Sequence, residues 1–184
     1  MRKRFIMTAF GKDRLGFVAE VARVIYENGC SLEDSTMTNL SDEFAMIFLV
    51  EGEDAGSGAE PLLNCLEREC RRLEMERGIS AFVRPISRSG GSPRKDVTPY
   101  TLHVEGLDQA GIVYKISRFL ADNEINITHF ESKSLPSPQT GAALYTIRLD
   151  IEVPKNLGLE KIDEGLSDIG ATLNVDITID GGHR

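Results

Sequence analysis

Val18, Val21, Ala22 and Ile25 are spaced i, i+3, i+4, i+7, which puts them on one face of a helix. Ninety-five residues later Val113, Ile116 and Leu120 repeat that stripe. Two further stripes lie downstream: Leu62, Leu66, Cys70 and Leu73, then Leu159, Ile162, Leu166 and Ile169. Between the helical patterns the period changes. Residues 4–10 and 100–105 read as strands, as do 31–38 and 126–133. The apolar runs "FAMIFLV" at 44–50 and "ALYTIRLDIEV" at 143–153 form a third pair of strands. A final pair covers 79–86 and 172–179, the latter alternating Leu173, Val175, Ile177 and Ile179 against Asn174, Asp176 and Thr178.

The element order is therefore β-α-β-β-α-β, twice. Each copy predicts a four-stranded antiparallel sheet of order 4-1-3-2, with both helices on one face: an α+β, ferredoxin-like split βαβ unit. The first unit spans 1–88 and the second 99–184, joined by a linker at 89–98. That linker sits in "RSGGSPRKDVTP", which has turn-forming and charged residues but no apolar period.

The repeat is sharpest where the first strand of each half meets its helix. "GKDRLG" stands at 11–16 and "GLDQAG" at 106–111. Gly16 and Gly111 leave the backbone uncluttered at a helix start, where unpaired amide N–H groups attract a carboxylate. Asp13 and Asp108 sit at the lip, able to receive an ammonium group. Together they offer what a zwitterionic amino acid needs. The same residues also suit an ordinary turn and helix start, and the pattern leaves both readings open.

A βαββαβ unit with this xDxxG turn resembles the ACT-domain family of small-molecule sensing modules. Two in tandem with no catalytic domain are similar to the glycine cleavage system transcriptional repressor family. The segment "SLPSPQTGAALYTIRLDIEVP" resembles the hairpin and long strand of that family's second unit. In amino-acid-binding ACT domains, the positions matching Asp13 and Asp108, and those matching Ser31 and Asn126, contribute ligand contacts. The resemblance thus implies a ligand set of Asp13, Gly16, Phe17 and Ser31 in the first unit, and of Asp108, Gly111, Ile112 and Asn126 in the second. Asn126-Ile127 matches the family pattern, whereas Ser31-Leu32 departs from it. Leu15 and Ala110 replace the proline common before the turn's last glycine. The second unit is the better candidate.

The outward faces of the two sheets differ. In the second unit Thr101, His103, Glu105, Thr146, Arg148 and Asp150 are expected to face away from the helices. The matching positions of the first unit are Ile6, Thr8 and Phe10, then Met46, Phe48 and Val50. An apolar patch of that kind is seldom bare, so Ile6, Phe10, Met46, Phe48 and Val50 are expected at an interface, with a homo-oligomer or another protein as its cover.

Charge and composition narrow the function further. With 184 residues, 41% apolar composition and a net charge of −8, the chain reads as globular and poorly suited to wrapping nucleic acid. The apolar run behind Met1-Arg2-Lys3-Arg4 is too short for a signal core or membrane span, so the cytoplasm is the expected location. Cys30, Cys65 and Cys70 form no CxxC pair and read as buried or half-buried reduced thiols. His103, His129 and His183 fall on two strands and the C-terminal tail. No catalytic constellation, metal set or cofactor motif is visible. The chain reads as a non-enzymatic regulator that contacts a transcriptional activator, without touching DNA itself. A small amino acid such as glycine or serine is the expected ligand, and control of glycine cleavage genes the role the resemblance implies. The alternative is a stand-alone regulatory subunit of a metabolic enzyme.

Overall fold

The computed structural model describes residues 2–54, 60–87, 96–136 and 143–181. Most of the linker and the hairpin segment 137–142 lie outside them, as does His183. The chain divides into two compact units, Met1–Gly90 and Gly91–Arg184. The first contains β1 (Arg2–Lys12), α1 (Phe17–Glu27), β2 (Cys30–Leu40), β3 (Glu43–Glu53), α2 (Leu62–Arg77) and β4 (Ser80–Ile86). The second contains β5 (Val97–Leu107), α3 (Ile112–Asp122), β6 (Asn126–Pro136), β7 (Ala143–Pro154), α4 (Leu159–Leu173) and β8 (Val175–Gly181). The antiparallel sheets have the orders β2-β3-β1-β4 and β6-β7-β5-β8. Val97 and Thr98, read from their composition as linker, belong to β5, where they pair with Pro154 and Val153.

Each core lies between the sheet and its two helices. In the first unit Phe5, Met7 and Ala9 of β1 meet Val21, Val24 and Ile25 of α1 and Leu66, Cys70 and Leu73 of α2. In the second, Leu102, Val104, Ile147, Leu149 and Ile151 meet Ile116, Leu120, Ile162 and Leu166. Side chains of this size contribute about 1.5–3 kcal/mol each when fully buried. The helix phases differ slightly from the simplest periodicity. α1 buries Phe17, Val21, Val24 and Ile25, and turns Val18 and Ala22 to solvent. Its sequence carries two overlapping stripes, and the one with Phe17 and Val24 removes more apolar surface from water. Likewise Ile112, not Val113, heads the stripe of α3. In α4 the buried positions are Ile162, Leu166, Gly170 and Leu173, so Leu173 ends a helix rather than opening a strand.

β3 corrects the expected outward face. Met46, Phe48 and Val50 are core residues, at 4%, 1% and 1% exposure. Their cross-strand partners are Ala9, Met7 and Phe5, all on the helix side of β1. Directly paired residues share a face, so the parity of β1 dictates that of β3. The cause lies in the repeat. The halves are offset by 95 residues through β1 and β5, but Gly11 pairs with Phe44 and Gly106 with Tyr145, an offset of 101 in β3 and β7. Aligning Met46 with Thr146 uses an even offset, and one residue of slip exchanges the faces of a strand. The residues that do face away are Ala45, Ile47 and Leu49, opposite Phe10, Thr8 and Ile6. Ile6 and Phe10 stand as expected. The polar face of the second sheet also stands, with Thr101, His103 and Glu105 paired to Asp150, Arg148 and Thr146.

Candidate functional site

The twin turns have one construction. Gly16 and Gly111 are the N-cap residues of α1 and α3, with φ of 87° and 100°. A β-carbon at either position would touch nothing within 4 Å, so conformation rather than space requires glycine. Neither helix has a side-chain cap; in α1 the Phe17 N–H turns back to the Arg14 carbonyl at 3.3 Å. The leading glycine has a different reason. A β-carbon on Gly106 would lie 2.5 Å from Val175 Cγ1, and one on Gly11 would lie 3.1 Å from the Gly78 carbonyl oxygen. The sheet edge closes over these positions.

The aspartates are held from the backbone and from the side chain. Asp13 N–H donates to the Asp42 carbonyl at 2.9 Å, and Asp108 N–H to the Ala143 carbonyl at 3.1 Å. Asn39 Nδ2 donates to Asp13 Oδ2 at 2.6 Å, and Ser134 Oγ to Asp108 Oδ2 at 3.4 Å. Asn39 and Ser134 occupy the same place in the repeat, near the ends of β2 and β6. Sequence reasoning missed both because they lie 26 residues from their aspartates on exposed polar strands. The residue after each aspartate ties the turn to the end of the unit's second helix. Arg14 donates to the Arg77 carbonyl at 3.4 Å, and Gln109 donates to the Leu173 carbonyl. Arg14 also grips Glu20 with two hydrogen bonds, of 3.1 and 2.7 Å. That contact holds the Glu20 carboxyl below its usual range and supplies negative charge to the first turn of α1.

The second turn borders a depression of about 670 Å³ lined by Asp108, Gln109, Gly111, Ile112, Tyr114 and Tyr145, among others. In the matching region of the first unit the rings of Phe17 and Phe44 pack edge to face at 5.1 Å. Asp108, Gly111 and Ile112 therefore come together, as do Asp13, Gly16 and Phe17.

Ser31 and Asn126 do not join them. α1 and α3 run back along their sheets, so β2 and β6 begin at the far end. Ser31 pairs with Glu51, which pairs with Arg4, nine positions before Asp13. Asn126 pairs with Glu152, which pairs with Pro99, nine positions before Asp108. At about 3.3 Å per strand residue, roughly 30 Å separates each from the turn of its own unit. Ser31 Oγ donates to the Glu51 carbonyl at 3.4 Å and Asn126 Nδ2 to Glu152 Oε2 at 3.1 Å. Asn126 borders a second depression, of about 660 Å³, with Asp96, Glu124 and Asn156.

Elsewhere, Cys30, Cys65 and Cys70 are free, and Cys70 is buried. His103 and His129 sit on β5 and β6. Among the described residues, no group of three His, Cys, Asp or Glu side chains could hold a metal ion. Among the same residues, no helix is long and apolar enough to cross a membrane.

The sequence profile described as ACT domain matches residues 3–79, which is the first unit from β1 through α2. The glycine cleavage system transcriptional repressor of Escherichia coli is 26% identical over 92% of this chain and 85% of its own length. UPF0237 protein MK1213 of Methanopyrus kandleri is 32% identical over 44% of this chain and 84% of its own. A solved structure of an unknown protein from Galdieria sulphuraria superposes with a TM-score of 0.76 at 28% identity, covering both chains fully. With the same turn, topology and strand order in both units, the chain belongs to the ACT-domain family, as two ACT units in tandem similar to the glycine cleavage repressor.

Proposed function

We propose that this protein is a non-enzymatic regulator that responds to a small amino acid and acts through contacts with another protein. Its role is control of glycine cleavage gene transcription, in the cytoplasm, with a transcriptional activator as the partner that reads DNA. Similarity to the Escherichia coli repressor along 92% of the chain supports the class of function. The observation that carries the ligand reading is the second turn. There the uncapped start of α3 and the Asp108 carboxylate face the depression they help to line. The first-turn amides of α3 supply donors for a ligand carboxylate, and Asp108 supplies an acceptor for its ammonium group. Ile112 and Tyr145 supply apolar wall. At about 670 Å³ the depression admits any amino acid, so selectivity for glycine or serine rests on polar contacts rather than on size.

A thermal-shift series with each amino acid at millimolar concentration tests this reading. A ligand present at ten times its Kd adds about 1.4 kcal/mol to the state that binds it, enough to raise the midpoint by several degrees in a unit of this size. Glycine or serine is expected to give the shift, and Asp108→Ala to remove it while leaving the unliganded midpoint nearly unchanged. Asp13→Ala is expected to have the smaller effect. No shift with any amino acid would leave the turn a purely structural device and remove the sensing part of the proposal.

A further inference from the structure

The outward face of the first sheet is apolar in its middle and oppositely charged at its two edges. One row of directly paired residues crosses all four strands in the order Asp34, Leu49, Ile6, Arg84. The next row reads Thr36, Ile47, Thr8, Phe82, and the third Thr38, Ala45, Phe10, Ser80. Phe82 is 63% exposed, Ile47 46% and Phe10 42%. Phe10 and Phe82 stack on each other at 6.1 Å, which makes a raised ridge on the β1–β4 side. On the β2–β3 side Asp34, Thr36, Ile47 and Leu49 line a shallow dent of about 120 Å³. Asp34 and Arg84 have no ion-pair partner among the described residues.

The geometry points to a second copy of this chain as the occupant of this face, stacked on it about a two-fold axis parallel to the strands. Such an axis lays β2 of one copy over β4 of the other and β3 over β1, with the strand rows kept in step. Asp34 then faces Arg84, Leu49 faces Ile6, and the small Ala45 faces the large Phe10. The exposed ring of Phe82 meets Thr36 at the edge of the dent. Each contact occurs twice, as a symmetric interface requires. Sheets stacked this way lie about 10 Å apart and cross at about 30°, a separation that a long arginine side chain spans. An axis across the strands would instead set β2 over β2 and β4 over β4, and the two charges would lose each other. Charge placement and ridge-to-dent shape thus select the same arrangement. It is independent of whether an amino acid binds at the turns.

Charge exchange in the full-length chain tests the arrangement, read by sedimentation velocity over micromolar concentrations. Asp34 and Arg84 are both exposed, so either substitution leaves the core untouched. The unsubstituted chain is expected to dimerise. Asp34→Arg alone and Arg84→Asp alone are each expected to weaken self-association at least tenfold, because each places like charges opposite one another twice. An equimolar mixture of the two variants is expected to restore the dimer, since both cross-contacts are again of opposite sign. The chain carrying both substitutions is expected to dimerise as well. A monomeric unsubstituted chain, single variants that stay dimeric, or a mixture that stays monomeric would each overturn the proposal.

Discussion

Gly16 and Gly111 hold backbone angles that an L side chain adopts only under strain. Replacing Gly111 by alanine is expected to cost about 1–2 kcal/mol, seen as a lower urea midpoint, and to tilt the α3 amides away from the depression. Gly106→Ala meets a different obstacle, the Val175 side chain and the backbone behind it, and is expected to loosen β8 from the sheet edge. The second aspartate partners of the turns behave as positioning residues: Ser134→Ala frees the Asp108 carboxylate to rotate, without removing it. Cys70 shows what burial does to a reactive group. Packing among α2 and the sheet, with Glu67 nearby, pushes its thiol up to about 11. A thiol whose folded value lies above its unfolded one favours the fold below the unfolded value, and loses that contribution as pH rises toward 11. Cys70 is therefore expected to resist a disulfide-exchange reagent at pH 8 in the native protein and to react on unfolding. Fast native labelling of all three cysteines would contradict the burial. At this scale the sequence disclosed the glycines and aspartates, because chain neighbours fix them. It hid Asn39 and Ser134, because strand pairing alone brings them to the turn.

Among the elements, β3 separates pattern from packing most clearly. "FAMIFLV" offers an apolar residue at every position, so both faces satisfy the hydrophobic effect and periodicity has no preference. The choice belongs to β1, whose Phe5, Met7 and Ala9 already face the helices and bring Val50, Phe48 and Met46 with them. Phe48→Ala is expected to destabilise the first unit by about 3–5 kcal/mol. Ile47→Ala, one residue away and facing outward, is expected to cost no more than about 1 kcal/mol. Urea unfolding of the two variants measures the difference, and equal losses would return β3 to the opposite register. Phe48→Lys is accordingly expected to prevent folding of this unit, whereas Ile47→Lys folds and bears only on association. β7 needed no such arbitration. Thr146, Arg148 and Asp150 alternate with Tyr145, Ile147 and Leu149, so the wet face was legible from the sequence.

For the whole molecule, two near-identical folds carry two unlike sheet faces, one apolar across its centre and one lined with charge. The net charge of −8 works against binding a phosphate backbone. The protein alone is expected to show no measurable affinity for duplex DNA at physiological salt in a fluorescence-anisotropy titration. Salt-sensitive, submicromolar binding would remove the view that a partner reads the DNA.

The sequence by itself determined the tandem βαββαβ order, the helix-start glycines and the paired aspartates, because each rests on local backbone preference and a period of two or 3.6. Tertiary structure decided three matters that no local preference reaches. It set the facing of β3, through pairing with a strand more than thirty residues earlier. It set which of two apolar stripes α1 buries, through the area each removes from water. It also set the separation of Ser31 and Asn126 from the turns by the length of a sheet, because each helix carries the chain back before the next strand begins.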